Sequence, residues 1–205
     1  MKKFIMLPLF VVAALFSSCE KDPDTDKLDN DYLVLTNYDS GTDFSEINTF
    51  YVIDSILIID NQTSKPTYWK NENSQKIINA YNDEFISCGY TQAASGDEAD
   101  AVFQLSYINT TYYFNNSVGP WWNSYPGYWN WGGWGWYYPF SFFYAYSTGS
   151  IIGELVNTKA PYDNNKLTII WNSYICGLLN GNNLSYSRTM AAIQQAFEQS
   201  PYLKK

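Results

Sequence analysis

Groups able to do chemistry are few in this chain of 205 residues, and none stands in a catalytic pattern. Asp97, Glu98 and Asp100 form a carboxylate cluster, and a carboxylate pair can run glycoside hydrolysis. Here the three acids lie in the Gly-containing turn from Ser95 to Asp100, just ahead of a strand-like apolar run, where solvated acids are the ordinary expectation. The chain contains no histidine, so the commonest general base and the commonest zinc ligand are both missing. No Gly-x-Ser-x-Gly elbow, phosphate loop or dinucleotide-binding glycine pattern occurs. Asp22, Asp24 and Asp26 alternate like the ligands of a calcium loop. Lys27 stands where that loop needs glycine, and no glutamate closes it. The expectation is a protein that is not an enzyme, with no cofactor and no bound metal.

The three thiols are Cys19, Cys88 and Cys176. Cys88 and Cys176 are the candidate disulfide; two free thiols are the alternative, because spacing alone does not bring their backbones together. Cys19 has a distinctive setting. Lys2 and Lys3 precede an apolar run from Ile5 to Phe16, the length of a signal-peptide core and too short to cross a bilayer. Small residues Ser17 and Ser18 then lead into Cys19. This arrangement resembles the lipobox of bacterial lipoproteins, with Phe16 in the usual leucine position and Leu15 one place earlier. The resemblance implies a signal peptide over residues 1–18 and lipidation, including palmitate, on Cys19. Several acyl chains on one residue anchor a protein stably where a single chain is marginal.

Residues 19–31 read as an acidic, flexible tether, since so polar a stretch cannot bury enough apolar area to order itself. Its acids resemble the surface-export signals of Bacteroidetes lipoproteins. Loss of residues 1–18 would remove two lysines and no acid, taking the net charge from −8 to −10. Attraction to anionic headgroups therefore cannot hold the protein at a membrane, and a nucleic-acid partner is excluded by the same acid excess. The expected location is the cell envelope, as an outer-membrane lipoprotein facing either the periplasm or the cell surface.

Aromatic residues make up 19% of the chain, against 16% charged. The excess is local. Six of the eight tryptophans (Trp121, Trp122, Trp129, Trp131, Trp134 and Trp136) fall in a Gly/Trp/Tyr-rich insertion over 112–146. No Asp, Glu, Lys or Arg occurs from Ala101 through Gly153. Pro120, Pro126, Pro139 and the glycines argue against a regular helix or central strand. The segment reads as a long loop or loose hairpin with several uses. Its rings could cover an open sheet face, touch an envelope protein or the membrane interface, or stack on sugar rings with Asn123, Asn130 and Gln104 as hydrogen-bonding groups. The functional expectation is a non-catalytic binding or structural role at the outer membrane, with a glycan-binding module as the alternative.

The elements that position these groups read as one α+β domain over 32–203. Asn48 to Asp60 is β-branched and apolar, a strand. Over Asn71 to Ser87, Ile77, Ile78, Tyr81 and Phe85 recur at helical spacing, and Gly89 suits a left-handed stop. In Ala101 to Tyr107, Ala101, Phe103, Leu105 and Tyr107 alternate onto one face. Together these predict a strand–helix–strand unit. Ser150 to Asn157 and Leu167 to Cys176 predict a late hairpin, with Leu167, Ile169, Trp171, Ser173 and Ile175 on one face. Ser185 to Ser200 predicts a last helix, apolar at Met190, Ile193 and Phe197 and stopped by Pro201. Both helices are expected to pack on a mixed, largely antiparallel sheet. Asp54-Ser55-Ile56 also matches the short acceptor pattern of Bacteroidetes O-glycosylation.

An ordered set of short motifs resembles a bacterial lipoprotein family known only as domain of unknown function 4136. The set comprises Tyr38-Asp39, Asp43-Phe44, Thr49-Phe50, Cys88-Gly89-Tyr90, Ala99-Asp100-Ala101, Gly149-Ser150-Ile151, the run Leu167 to Trp171, and Ala192-Ile193 with Phe197 before Pro201. One departure is that Asn172-Ser173-Tyr174 follow Trp171, where such domains continue with a charged or small residue and glycine. The resemblance implies a fold and an envelope location, and no reaction.

Overall fold

The computed structural model describes residues 32–59, 67–108, 112–113, 135–137, 139, 145–146, 149–162, 166–180 and 183–205. The domain is α+β. Its strands are β1 (Leu33–Tyr38), β2 (Thr49–Ile59), β3 (Thr67–Trp69), β4 (Thr91–Gln92), β5 (Ala101–Ile108), β6 (Tyr112–Tyr113), β7 (Gly135–Tyr137), β8 (Ala145–Tyr146), β9 (Ser150–Tyr162), β10 (Lys166–Cys176), β11 (Leu179–Asn180) and β12 (Asn183–Leu184). Helix α1 spans Glu72–Ser87 and α2 spans Tyr186–Glu198. The main sheet is mixed, in the order β1-β10-β9-β5-β2-β3, with β4 also on β2 and β7 also on β10.

The strand–helix–strand unit forms as read from the sequence. β2 and β5 are parallel neighbours and α1 lies between them in the chain. Asn71 opens α1 with a capping box. Its side-chain oxygen accepts from the Asn73 and Ser74 backbone N–H groups at 2.9 and 3.0 Å, and Ser74 Oγ accepts from the Asn71 N–H at 2.9 Å. Ile77, Ile78, Tyr81 and Phe85 are the face it buries. Gly89 follows at φ 98°, a left-handed conformation that a side chain would strain. Helix α2 buries Ala192, Ile193, Ala196 and Phe197 on the same side of the sheet, while Met190 is only half-buried.

Between the helices and this first face of the sheet lies an aromatic core. The Phe85 ring centre is 5.0 Å from Phe50, 5.0 Å from Phe103, 4.9 Å from Phe197 and 5.9 Å from Trp171. Two hydrogen bonds thread it. The Tyr81 and Ser173 hydroxyls lie 3.1 Å apart, and the Trp171 indole N–H donates to Ser200 Oγ at 2.9 Å. Gly153 lets the Phe103 ring sit on the sheet, since a Cβ there would overlap that ring and fall 2.8 Å from Ser173 Oγ.

Two expectations about faces need correction. The alternation in β5 marks the core face correctly, but the other face is buried too, because every residue from Ala101 to Ser106 is buried. In β10 the expected face breaks. Trp171, Ser173 and Ile175 pair with Leu155, Gly153 and Ile151, whereas Ile169 pairs with Val156, after a bulge. An extra residue in one strand turns every side chain beyond it to the opposite face, so Ile169 joins the second face. β10 itself runs unbroken through Asn172, Ser173 and Tyr174. β1 and the short strands β3 and β4 are additions to what the sequence pattern suggested.

The sheet has two distinct ends. At one, Leu33 pairs with Cys176 and Ile108 with Ser150. At the other, Lys205 closes over the start of β2. Its backbone N–H donates to the Cys88 carbonyl at 3.0 Å, and its ammonium donates to Asn48 Oδ1 at 2.9 Å and sits 5.1 Å from the Tyr90 ring centre.

Candidate functional site

The most unusual chemistry lies on the second face. Gln104, Glu154, Asn172 and Asn37 stand directly opposite one another on β5, β9, β10 and β1. They form a polar row across four strands, on a face that also holds Leu57, Val102, Ser106, Ile152 and Val156. Direct neighbours across a ladder are close enough for side chains to bond. The Gln104 amide donates to Glu154 Oε2 at 2.5 Å, and the Asn37 amide donates to Asn172 Oδ1 at 3.2 Å. Glu154 is 2% exposed and Gln104 fully buried.

Glu154 is the anomaly in this row. Its second oxygen, Oε1, is buried with no hydrogen-bond partner among the described residues. Burial disfavours the charged carboxylate and pushes the group up to about 8, against which the Gln104 hydrogen bond pulls only weakly. At neutral pH the side chain is chiefly a neutral acid, able to donate one hydrogen bond and accept others. A buried acid of this kind with a specific amide partner is the pattern of a functional-site candidate, and structural networks produce it as well. Among the described residues no group of three His, Cys, Asp or Glu could hold a metal ion, and Glu154 stands alone as an acid in its row. The arrangement supports recognition or packing by hydrogen bonds. Among the described residues the row holds Glu154 as its one titratable side chain.

The groups singled out in the sequence fall elsewhere. In the carboxylate cluster, Asp100 is a backbone clamp. Its Oδ2 accepts the Asn48 and Thr49 N–H groups at 3.0 Å each, tying the loop before β5 to the start of β2. Partial burial raises its pKa, and the hydrogen bonds from Thr49 and Asn48 outweigh that and hold it below the ordinary carboxylate range. Asp97 and Glu98 stay outside this clamp.

The candidate disulfide is not made: Cys88 and Cys176 are free thiols. The physical reason is position. Cys88 follows α1 at the Ala101 end of the sheet and Cys176 ends β10 at the Ile108 end. Seven strand residues at ~3.3 Å each put the two ends about 23 Å apart, well beyond the reach of a bridge. Ser55, in the glycosylation triplet, is buried inside β2 at 5% exposure and is not presented to an enzyme.

Of the six tryptophans, the backbone of Trp136 forms part of β7 and pairs with Leu167 of β10. Trp121, Trp122, Trp129, Trp131 and Trp134 lie outside the described residues, as does Cys19. The rung Ile108–Ser150 closes the β5–β9 pairing at the ends of the aromatic segment, and Tyr112–Tyr146 belongs to a separate two-stranded sheet of β6 and β8. Sequence patterns alone do not single out Glu154. Its signal is an acid in the middle of the apolar run Ile151 to Val156, where β5 also carries a lone glutamine between Phe103 and Leu105.

Comparison with known proteins agrees with this fold. The family model described as Domain of unknown function (DUF4136) matches residues 34–202. A crystal structure of a DUF4136 family protein from Bacteroides thetaiotaomicron is 43% identical, covering 86% of this chain and 99% of that one, with a TM-score of 0.75. A PDZ domain protein from Parabacteroides distasonis is 14% identical over 85% of this chain and 37% of its own, at a TM-score of 0.39, too low to bear on the fold. No curated protein matches. Because the match runs from β1 to the last turn after α2, and the Bacteroides protein shares both sequence and architecture, the chain belongs to the DUF4136 family.

Proposed function

We propose that this protein is a lipid-anchored component of a bacterial cell envelope, held at the outer membrane through Cys19, with a non-catalytic binding or structural role. The observation that carries the reading is the order of its parts. A positive n-region, an apolar core and Leu15-Phe16-Ser17-Ser18-Cys19 precede an acidic stretch, and the first strand of the domain begins only at Leu33. Cys19 therefore precedes the first described strand by 14 positions in the sequence, a spacing that suits a lipid attachment point.

No helix among the described residues is long and apolar enough to cross a membrane, and the sequence around Cys19 offers an acyl anchor. Anchoring of this kind takes more than one acyl chain, each buried CH₂ contributing ~0.8 kcal/mol. The candidate site supports that role, since its one unusual acid is built into a hydrogen-bonded row across the sheet.

The test is metabolic labelling with an alkyne palmitate analogue, followed by fractionation, in cells expressing the natural chain and Cys19→Ala. The natural chain is expected in the membrane fraction with label, and the variant without label and unprocessed. Label that persists in Cys19→Ala, or an unlabelled natural chain in the soluble fraction, would overturn the proposal.

A further inference from the structure

We propose that the second face of the sheet is the docking surface of the chain's own aromatic segment, residues 114–134, so that its tryptophans form an inner layer of the domain. Three observations on the described residues converge on this occupant.

The first is dryness. Leu57, Ile59, Val102, Ile108, Ile152 and Val156 all point to the second face and are at most 3% exposed. Both helices lie on the other face, where their buried residues join the core with Phe50, Phe103 and Trp171. An antiparallel sheet covered on one side only would be wet and polar on the other. Here the second face is buried as well, its polar Gln104, Glu154 and Asn172 included.

The second is routing. The segment leaves and rejoins at the Ile108–Ser150 rung, beside Cys176 at one end of β10. Its middle, β7, pairs with Lys166 to Thr168 at the opposite end of β10. Eight residues of strand, at ~3.3 Å each, separate these points by about 26 Å. The rung and the β7 pairing thus lie at opposite ends of the sheet. β1 occupies the edge of β10 from Trp171 to Cys176, and the helices occupy the first face. The open path is across the second face.

The third is chemical match. No charged residue occurs from Ala101 through Gly153, so the segment carries no charge into an apolar interface. Each large ring can bury ~150–250 Å², and indole and phenol groups need hydrogen-bond partners when buried. The polar row supplies them at the centre of the face. Glu154 Oε1 in particular is buried with no partner among the described residues.

The experiment is chymotrypsin digestion of the purified full chain in dodecyl maltoside, beside a synthetic peptide of residues 114–134 in the same detergent. Cleavage sites are mapped by mass spectrometry. Cleavage within 114–134 is expected at least about 100-fold slower in the protein than in the peptide, because it must await local opening. A second measurement guards against shielding by the micelle. Exchange into brominated dodecyl maltoside quenches tryptophans that touch acyl chains, and emission is expected to stay within one tenth of its starting value. Cleavage at the peptide's rate, or strong quenching by the brominated detergent, overturns the proposal. Protection that arises only on adding phospholipid vesicles or envelope oligosaccharides would overturn it too, and would instead assign the segment to membrane or glycan contact.

Discussion

Replacing Glu154 with glutamine should make the domain less sensitive to pH, and the size of the effect follows from the site. In the folded chain the carboxyl is 2% exposed and keeps its proton to about pH 8, whereas its ordinary value is 4.5. Between those two values the folded state holds one proton more than the unfolded state. Stability therefore falls as pH rises, at ~1.4 kcal/mol per pH unit. Across the whole window the loss is about 5 kcal/mol, a large share of the 5–15 kcal/mol that typically holds a domain folded. Urea denaturation at pH 5, 6, 7, 8 and 9 reads this directly. With a slope of ~2 kcal/mol per molar urea, the midpoint should drop by about 2 M between pH 5 and pH 9. The Glu154→Gln variant keeps the shape and an oxygen for the Gln104 amide, and it should lose most of that slope. The window is unusually clean because the chain has no histidine, the side chain that ordinarily titrates there. Glu84 is also raised, by partial burial, and Glu84→Gln serves as the control that should leave most of the slope in place. A natural chain whose midpoint is flat or rises from pH 5 to pH 8 would refute the reasoning. So would a Glu154→Gln variant with the same slope as the natural chain.

Two further substitutions test the packing. Gly153→Ala places a methyl group against the Phe103 ring and Ser173 Oγ in the middle of a central strand, and should cost about 2–3 kcal/mol, seen as a fall in Tm of ~5–10 °C; an unchanged Tm would count against the close approach described here. Asn71→Ala removes the acceptor for the Asn73 and Ser74 N–H groups and for the Trp69 indole, and should cost about 1 kcal/mol in urea denaturation, with Asn71→Asp recovering most of it.

Helix α1 is legible in the sequence because its information is local. Ile77, Ile78, Tyr81 and Phe85 repeat at three and four residues, and Gly89 marks the stop. The β2–α1–β5 unit follows from the same local patterns. The faces of β10 are not legible in this way, since the bulges near Thr168 and Trp171 depend on how β9 lies beside it. Nor is the polar row. Gln104 and Glu154 are 50 positions apart and become neighbours only through the β5–β9 register. The carboxylate cluster misleads for a related reason, because the partners of Asp100 are backbone N–H groups of Asn48 and Thr49, which no motif records.

The two ends of the sheet give the domain a built-in orientation. Chain arrives at Leu33 beside Cys176, on the same end where the aromatic segment departs from Ile108, while Lys205 is fastened by Cys88 and Asn48 at the other end. A reporter joined after Lys205 would thus ride on the end remote from Leu33, about the length of β5 away, or ~23 Å along the sheet. A linker extends from the Lys205 carboxyl, which leaves the side-chain ammonium its hold on Asn48 and Tyr90.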